Sequence, residues 1–227
     1  MLLALGYSPP RLDRLRALWP FVVAAVTGGL VFAWMCDAVG DRNGITAVDG
    51  PVSVWFASHR SATEGQLGLL LAKMTSPAAL VTVVLVAAAL LYWRGHRSES
   101  TVLLGSTFLA YGVGALAKIA EHRARPVAPV NLAPESEASF PSGHVLVVTT
   151  VAFLVLGLAW TWLSRAGRVA ATTVAVGVTL AVAVDRLVVG AHWLTDVLGS
   201  LALAGVIVSV VLAVHRLLQP EGVAPAQ

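Results

Sequence analysis

Residues 137–163 read EASFPSGHVLVVTTVAFLVLGLAWTWL. A polar loop carrying Glu135 and Glu137 gives way at Pro141-Ser142-Gly143-His144 to an apolar run that closes on Trp160 and Trp162. A helix needs roughly 20 apolar residues to cross the hydrocarbon core of a bilayer, so the spacing predicts a span over 143–164. Its first turn nevertheless begins with a hydroxyl, a residue without a side chain and an imidazole. These are groups that apolar packing does not require, and they mark this helix mouth as a place for chemistry.

The rest of the chain has the same character. Of its 227 residues, 57% are apolar and 12% charged, and the mean hydropathy is +0.81. A water-soluble globule could not cover itself with so little polar surface. Six spans are predicted, over 18–39, 65–93, 98–120, 143–164, 167–188 and 192–217, giving an all-α polytopic bundle in a single membrane-embedded domain, 1–227. The first span is too long for a signal peptide and has no small-x-small cleavage pattern, so it is read as a retained anchor. The single cysteine, Cys36, is a small packing residue within it.

The net charge is +3, and the basic residues sort by loop. Arg11, Arg14 and Arg16 precede the first span; Arg94 and Arg97 join the second and third; Arg165 and Arg168 join the fourth and fifth; Arg216 ends the sixth. An even number of crossings puts these clusters on one side, which the positive-inside rule makes cytoplasmic together with both termini. The polar stretches 40–64 and 121–141 then face outward. In the first, PVSVWFASHR suits a short interfacial helix. In the second span, Pro77 of MTSP removes a backbone donor and is expected to kink or split the helix near Lys73; Lys73 itself reads as a snorkelling lysine. Glycines 105, 112, 114, 199 and 205 read as sites of close helix approach.

Polar residues least tolerated by a membrane protein gather at the outer ends of spans three to six. KIAEHRARP places Lys118 at the end of span three and Arg125 just beyond it, two cations able to hold one dianion. Pro141 and Ser142 have the chemistry of a helix start, and Gly143 lets backbone approach a ligand where free amides and the helix dipole favour an anion. His144 can exchange a proton near neutral pH. DRLVVGAHWLTD supplies Arg186 and then His192 and Asp196, which share one helical face; a carboxylate on one ring nitrogen leaves the other as a nucleophile. Three cations crowding the site disfavour a metal. Glu121, His122, His59, His96 and His215 read as loop or span-edge residues.

These three stretches, with Lys, six residues, Arg-Pro; then Pro-Ser-Gly-His; then Arg, five residues, His, three residues, Asp, resemble the signature of the type-2 phosphatidic acid phosphatase superfamily. The signature region covers 118–196. The resemblance implies a bundle with its active site at the extracytoplasmic ends of helices 3 to 6 and a metal-free, cofactor-free lipid phosphate phosphatase. It implies that His192 forms a phosphohistidine, that Asp196 orients it, that His144 protonates the leaving oxygen and later activates water, and that Lys118, Arg125, Ser142, Gly143 and Arg186 grip the phosphate oxygens. One departure stands out: Asp185 occupies the position where the family has Ser, and like-charge repulsion implies that it turns away from phosphate or pairs with Arg186 or another cation. The vanadate-dependent haloperoxidases share the signature but are soluble, which six apolar spans argue against.

The implied partner is a lipid phosphate drawn from the plasma membrane, with no nucleic acid involved. Richness in Ala, Val, Arg and Gly is of the kind found in high-GC bacteria, which favours a polyprenyl diphosphate carrier of cell-envelope synthesis over phosphatidic acid or phosphatidylglycerol phosphate. Two other readings remain open on sequence: a lipid phosphotransferase, and a catalytically silent lipid-binding or transport protein of the same fold.

Overall fold

The computed structural model describes residues 12–219 except 43 and 134. Arg11 lies outside the described residues, as does the side chain of Arg14. Eight α-helices follow one another, α1 Leu12–Asp41, α2 Asp49–His59, α3 Ala62–Met74, α4 Pro77–Trp93, α5 Arg97–Glu121, α6 Gly143–Ala159, α7 Arg165–Val188 and α8 Leu194–Leu218, with no strand among the described residues. Five of them are long and apolar enough to cross a bilayer, and α3 with α4, bent by 49° at a short break, makes a sixth as a broken span. The six-span, all-α reading therefore holds, and the chain has the composition and architecture of a multi-pass membrane protein.

The break has a local cause. Thr75 ends α3, and Ser76 starts a new helix by accepting from Ala79 N at 3.4 Å, with Pro77 in the first turn, where its missing N–H costs nothing. Upstream, Ser61 and Glu64 close a reciprocal capping box on α3. The loop PVSVWFASHR is helical, as expected, within α2.

Helix α6 lies at the centre, packed against α5, α7 and α8, while α1 runs along α8. Ala110, Leu146, Val147, Leu203, Ala204 and Ile207 form the main buried cluster. Close approach occurs at Gly114 and Gly199, where a Cβ would come within 2.9 Å of Leu146 and 2.6 Å of Phe140, and at Gly28 against the Ala202 carbonyl at 2.9 Å, but not at Gly105, Gly112 or Gly205, which face open space. Outward faces carry exposed Val23, Val26 and Leu30 on α1, Leu85 and Val86 on α4, and Val174 and Val178 on α7. In water such surface would drive association; in a bilayer it is the lipid-facing belt.

The two ends of the bundle differ. At one, His96 meets Trp162 with ring centroids 4.7 Å apart, Ser98 Oγ sits 3.4 Å from His215 Nδ1, and the Arg216 guanidinium covers the Phe21 ring at 4.5 Å, so the arginine-bearing loops do share an end. The other end gathers α2, the α5–α6 loop and the turn between α7 and α8. Arg60 fastens these together, donating to the carbonyls of Val130 at 2.6 Å, Pro129 at 2.8 Å and Val188 at 2.9 Å. Leu132 N donates to Val189 O at 2.8 Å, and Gly190 adopts φ +68° directly against the Val130 backbone, where a side chain would have no room.

Candidate active site

The turn stitched down by these bonds carries His192, and each other residue singled out in the sequence arrives at the same end of the bundle from a different element. Lys118 lies in the last turn of α5, Arg125 in the loop after it, Ser142 and Gly143 at the start of α6 with His144 following, Arg186 in the last turn of α7, and Asp196 in the first turn of α8. A cavity of about 590 Å³ is lined by Lys118, Arg125, Gly143, His144 and His192, with Glu135 and Glu137 at its polar end. Ser142, Arg186 and Asp196 are not among the lining residues and lie fully buried.

Around His192 the contacts are specific. Nδ1 lies 3.3 Å from Asp196 Oδ2, and Nε2 lies 3.1 Å from Arg125 Nη1. A carboxylate can only accept and a guanidinium can only donate. The neutral ring between them therefore carries its proton on Nδ1 and its lone pair on Nε2. Asp196 Oδ2 also takes the Trp193 backbone N–H at 2.9 Å, closing the N-terminus of α8. Burial is the main force lowering the His192 pKa below its ordinary 6.5; Arg125 and Lys118 act in the same direction, and Asp196 opposes them. The ring then keeps its lone pair into mildly acidic solution. In a histidine-labelled NMR titration the His192 ring is expected to protonate with a midpoint below about 6.5; a midpoint above that value would contradict this electrostatic picture.

The cations are held by the α5–α6 loop. Lys118 Nζ donates to Ala138 O at 2.5 Å and pairs with Glu137 at 3.5 Å; Arg125 donates to Glu137 O and Ala191 O, each at 2.9 Å, and pairs with Glu135 at 2.7 Å. Burial pulls the Arg125 guanidinium below its usual range and Arg186 adds to this, while Glu135, Asp196 and Glu137 oppose it. Asp185, the departure from the family pattern, pairs with its neighbour: Arg186 Nε donates to Asp185 Oδ2 at 3.0 Å, and Nη2 reaches the same oxygen. Helix α3 presses on this pair through Gly68, whose Cβ, if present, would come within 2.7 Å of Asp185 Oδ1.

In this region two buried polar groups, Ser142 Oγ and Arg186 Nη1, have no hydrogen-bond partner among the described residues. Ser142 is the N-cap of α6, as its position in the sequence suggests, but its hydroxyl makes no capping bond. An orphaned buried hydroxyl and guanidinium N–H are each costly, which makes both groups candidates for contact with an anion at this end of the bundle. His144 Nε2 lies 3.3 Å from the Ala72 carbonyl at the end of α3.

Two charged residues escaped the sequence reading. Arg123 stands between Lys118 and Arg125 in KIAEHRARP, yet it joins Asp196 Oδ1 at 2.5 Å and Asp49 Oδ2 at 2.6 Å. Asp49 begins α2 and is buried. The one sequence signal for it is an acidic residue opening a short helix beside Gly50 and Pro51; its partners are far away in the chain.

Comparison with known proteins bears on the fold and the family. No curated protein matches the chain. Among solved structures, the first transmembrane PAP2 type phosphatidylglycerolphosphate phosphatase from Bacillus subtilis superposes with a TM-score of 0.79 at 20% identity, over 87% of this chain and 98% of that one. LpxE of Aquifex aeolicus gives 0.56 at 16% identity, over 73% and 94%. At such identities these likenesses speak for the fold. The family model described as the PAP2 superfamily matches residues 99–219, more than half of the sequence and a stretch that holds Lys118, Arg125, Ser142, Gly143, His144, Arg186, His192 and Asp196 but not Asp49, and the chain belongs to that superfamily.

Proposed function

We propose that this protein is a membrane lipid phosphate phosphatase that works through a phosphohistidine on His192 without a metal. The observation that carries the reading is the fixed tautomer: His192 sits between an obligate acceptor, Asp196, and an obligate donor, Arg125, so Nε2 presents a lone pair to the cavity that His144 also lines. Nε2 attacks phosphorus as the bond to the leaving oxygen breaks, and His144 gives that oxygen its proton. His144, now neutral, takes a proton from water; the hydroxyl attacks phosphorus, the N–P bond breaks, and inorganic phosphate departs. Asp196 accepts from Nδ1 throughout and offsets the positive charge that the ring acquires.

Lys118, Arg125, Arg186, Ser142 Oγ and the Gly143 amide are the groups proposed to hold the equatorial oxygens, where preformed positive charge has its largest effect in phosphoryl transfer. The pairs that Glu135 and Glu137 make with Arg125 and Lys118 are partly exposed, with carboxylate side chains 37% and 73% accessible. In each pair the cation is the more buried partner, Arg125 at 7% and Lys118 at 15%, so the carboxylates are held from the solvent side, where a phosphate dianion competes with them for the cations and draws Arg125 away from Nε2.

The cavity supports a lipid as the substrate class. Below its polar end it continues past Leu80, Ala110, Tyr111, Gly114, Leu146 and Val147, between α4, α5 and α6 beside the bend at Pro77. That apolar extension suits a lipid chain whose phosphate lies at the helix ends, and its volume is in the range of small-molecule sites. The positive-inside rule favours the cytoplasm for the arginine-bearing end, which supports an outer-leaflet location for the site.

The test is phosphate release in detergent, with EDTA and no added acceptor, from polyprenyl diphosphate, phosphatidylglycerol phosphate, phosphatidic acid and a chainless phosphomonoester. At least one lipid should be turned over with a kcat/KM at least about tenfold above the chainless ester, since burial of several CH₂ groups contributes about 0.8 kcal/mol each. Absence of release from all four would remove the phosphatase reading. Equal rates with and without a chain would remove the lipid groove, and release abolished by EDTA would remove the metal-free mechanism. Release without an acceptor separates hydrolysis from phosphotransfer.

A further inference from the structure

Asp49, Arg123 and Asp196 form a line of buried charge that the mechanism above leaves unused beyond Asp196. Arg123 Nη1 donates to Asp196 Oδ1 at 2.5 Å and to Thr195 Oγ1 at 2.7 Å, and Nη2 donates to Asp49 Oδ2 at 2.6 Å. Asp49 also accepts from the Thr195 backbone N at 2.9 Å and from Thr195 Oγ1 at 2.6 Å. The side chains of Arg123, Asp49 and Asp196 are 14%, 5% and 0% exposed, and the Arg123 guanidinium lies over the Trp193 ring at 5.7 Å.

The number of directions in which Asp196 is held gives this arrangement its consequence. Oδ2 serves His192 Nδ1 and Trp193 N, both from the turn just before α8. Held at that oxygen alone, a carboxylate can swing, because its terminal torsion is broad. Arg123 fixes the second oxygen, and Asp49 fixes Arg123 at another nitrogen, so the guanidinium cannot follow a rotating carboxylate. The guanidinium also stands between two carboxylates at the first turn of α8 and offsets their repulsion.

We propose that Arg123, anchored by Asp49 of α2, is a positioning residue: it sets the plane of the Asp196 carboxylate and, through it, the His192 ring. The proposal rests on the reading of His192 as nucleophile. It gives α2 a task in the reaction, as the far anchor of a relay running Asp49, Arg123, Asp196, His192.

The test compares kcat and KM for Arg123→Gln, Arg123→Lys and Asp49→Asn, each alone and combined with Asp196→Asn, beside His192→Ala. Arg123→Gln is expected to lower kcat by about 10–100-fold, as for other partners that orient a reacting group, while KM moves by less than about threefold. Arg123→Lys should recover part of the loss, and Asp49→Asn should show a smaller loss of the same kind. In the Asp196→Asn protein either change should cost less than about threefold, since nothing is left to position; a merely structural role would cost as much there as in the parent. Undiminished kcat in folded Arg123→Gln, or losses that multiply fully onto that of Asp196→Asn, would overturn the proposal. Should Arg123→Gln not fold, Asp49→Asn decides by the same two criteria. Turnover surviving in His192→Ala would instead strike at the nucleophile and take this proposal with it, whereas an inactive His192→Ala beside a fully active Arg123→Gln would remove this proposal alone.

Discussion

Replacing His192 by alanine is expected to lower kcat by about 10⁴-fold or more, the size of loss seen when a covalent nucleophile is removed. The ring is 1% exposed and supplies the unprotonated nitrogen between Asp196 and Arg125. Its removal leaves a carboxylate and a guanidinium of opposite charge facing a small void, so the bundle should still insert and fold. Phosphate affinity should persist, because Lys118, Arg125, Arg186 and the α6 N-terminus are untouched. Phosphate release together with an unchanged elution profile in detergent checks both halves. Activity within about tenfold of the parent would mean that another group forms the bond to phosphorus.

His144→Ala should separate two steps that His192→Ala abolishes together. With a lipid alkoxide as leaving group, loss of the proton donor is expected to cost about 10²–10⁴-fold. An aryl phosphate such as p-nitrophenyl phosphate needs little protonation to leave, so its first step should be largely spared. Hydrolysis of the phosphohistidine still needs a base. The variant should therefore release a stoichiometric burst of nitrophenol and then stall with phosphate on the enzyme. Equal loss on both substrates, with no burst, would assign His144 to binding alone.

The spans were legible because hydrocarbon imposes a length and a polarity that few other environments demand. The prediction of 98–120 against the observed Arg97–Glu121, and a break where Ser76 and Pro77 start a new helix, come from rules that act within a few neighbouring residues. Lys118, Arg125, His144, His192 and Asp196 could be named because charged groups at span ends are costly enough to be conspicuous. The meeting of Lys118, Arg125, His144 and His192 in one cavity, with Asp196 buried behind His192, is a tertiary fact, created by the packing of α6 among α5, α7 and α8.

What stayed hidden has the opposite physics. Asp49 lies in an ordinary polar loop by composition, and its bonds run to Arg123 and Thr195, on chain segments with no local relation to it. Arg123 stands beside His122 in a polar stretch, and nothing in its neighbours sets it apart. The idle Ser142 hydroxyl was equally unreadable, since the same residue in the same place caps many helices. Asp185 was partly legible: repulsion from phosphate pointed to a cation partner, and Arg186 beside it is the one it takes.

A covalent bond between His192 and phosphorus can be trapped and mapped as a phosphoenzyme. Protein mixed with a ³²P-labelled lipid phosphate and quenched in alkali should carry acid-labile, base-stable label on the peptide containing His192, absent from His192→Ala; with ³²P-labelled p-nitrophenyl phosphate the label should be enriched in His144→Ala. Label on His144, or turnover with no labelled protein at any quench time in the parent and in His144→Ala, would contradict it.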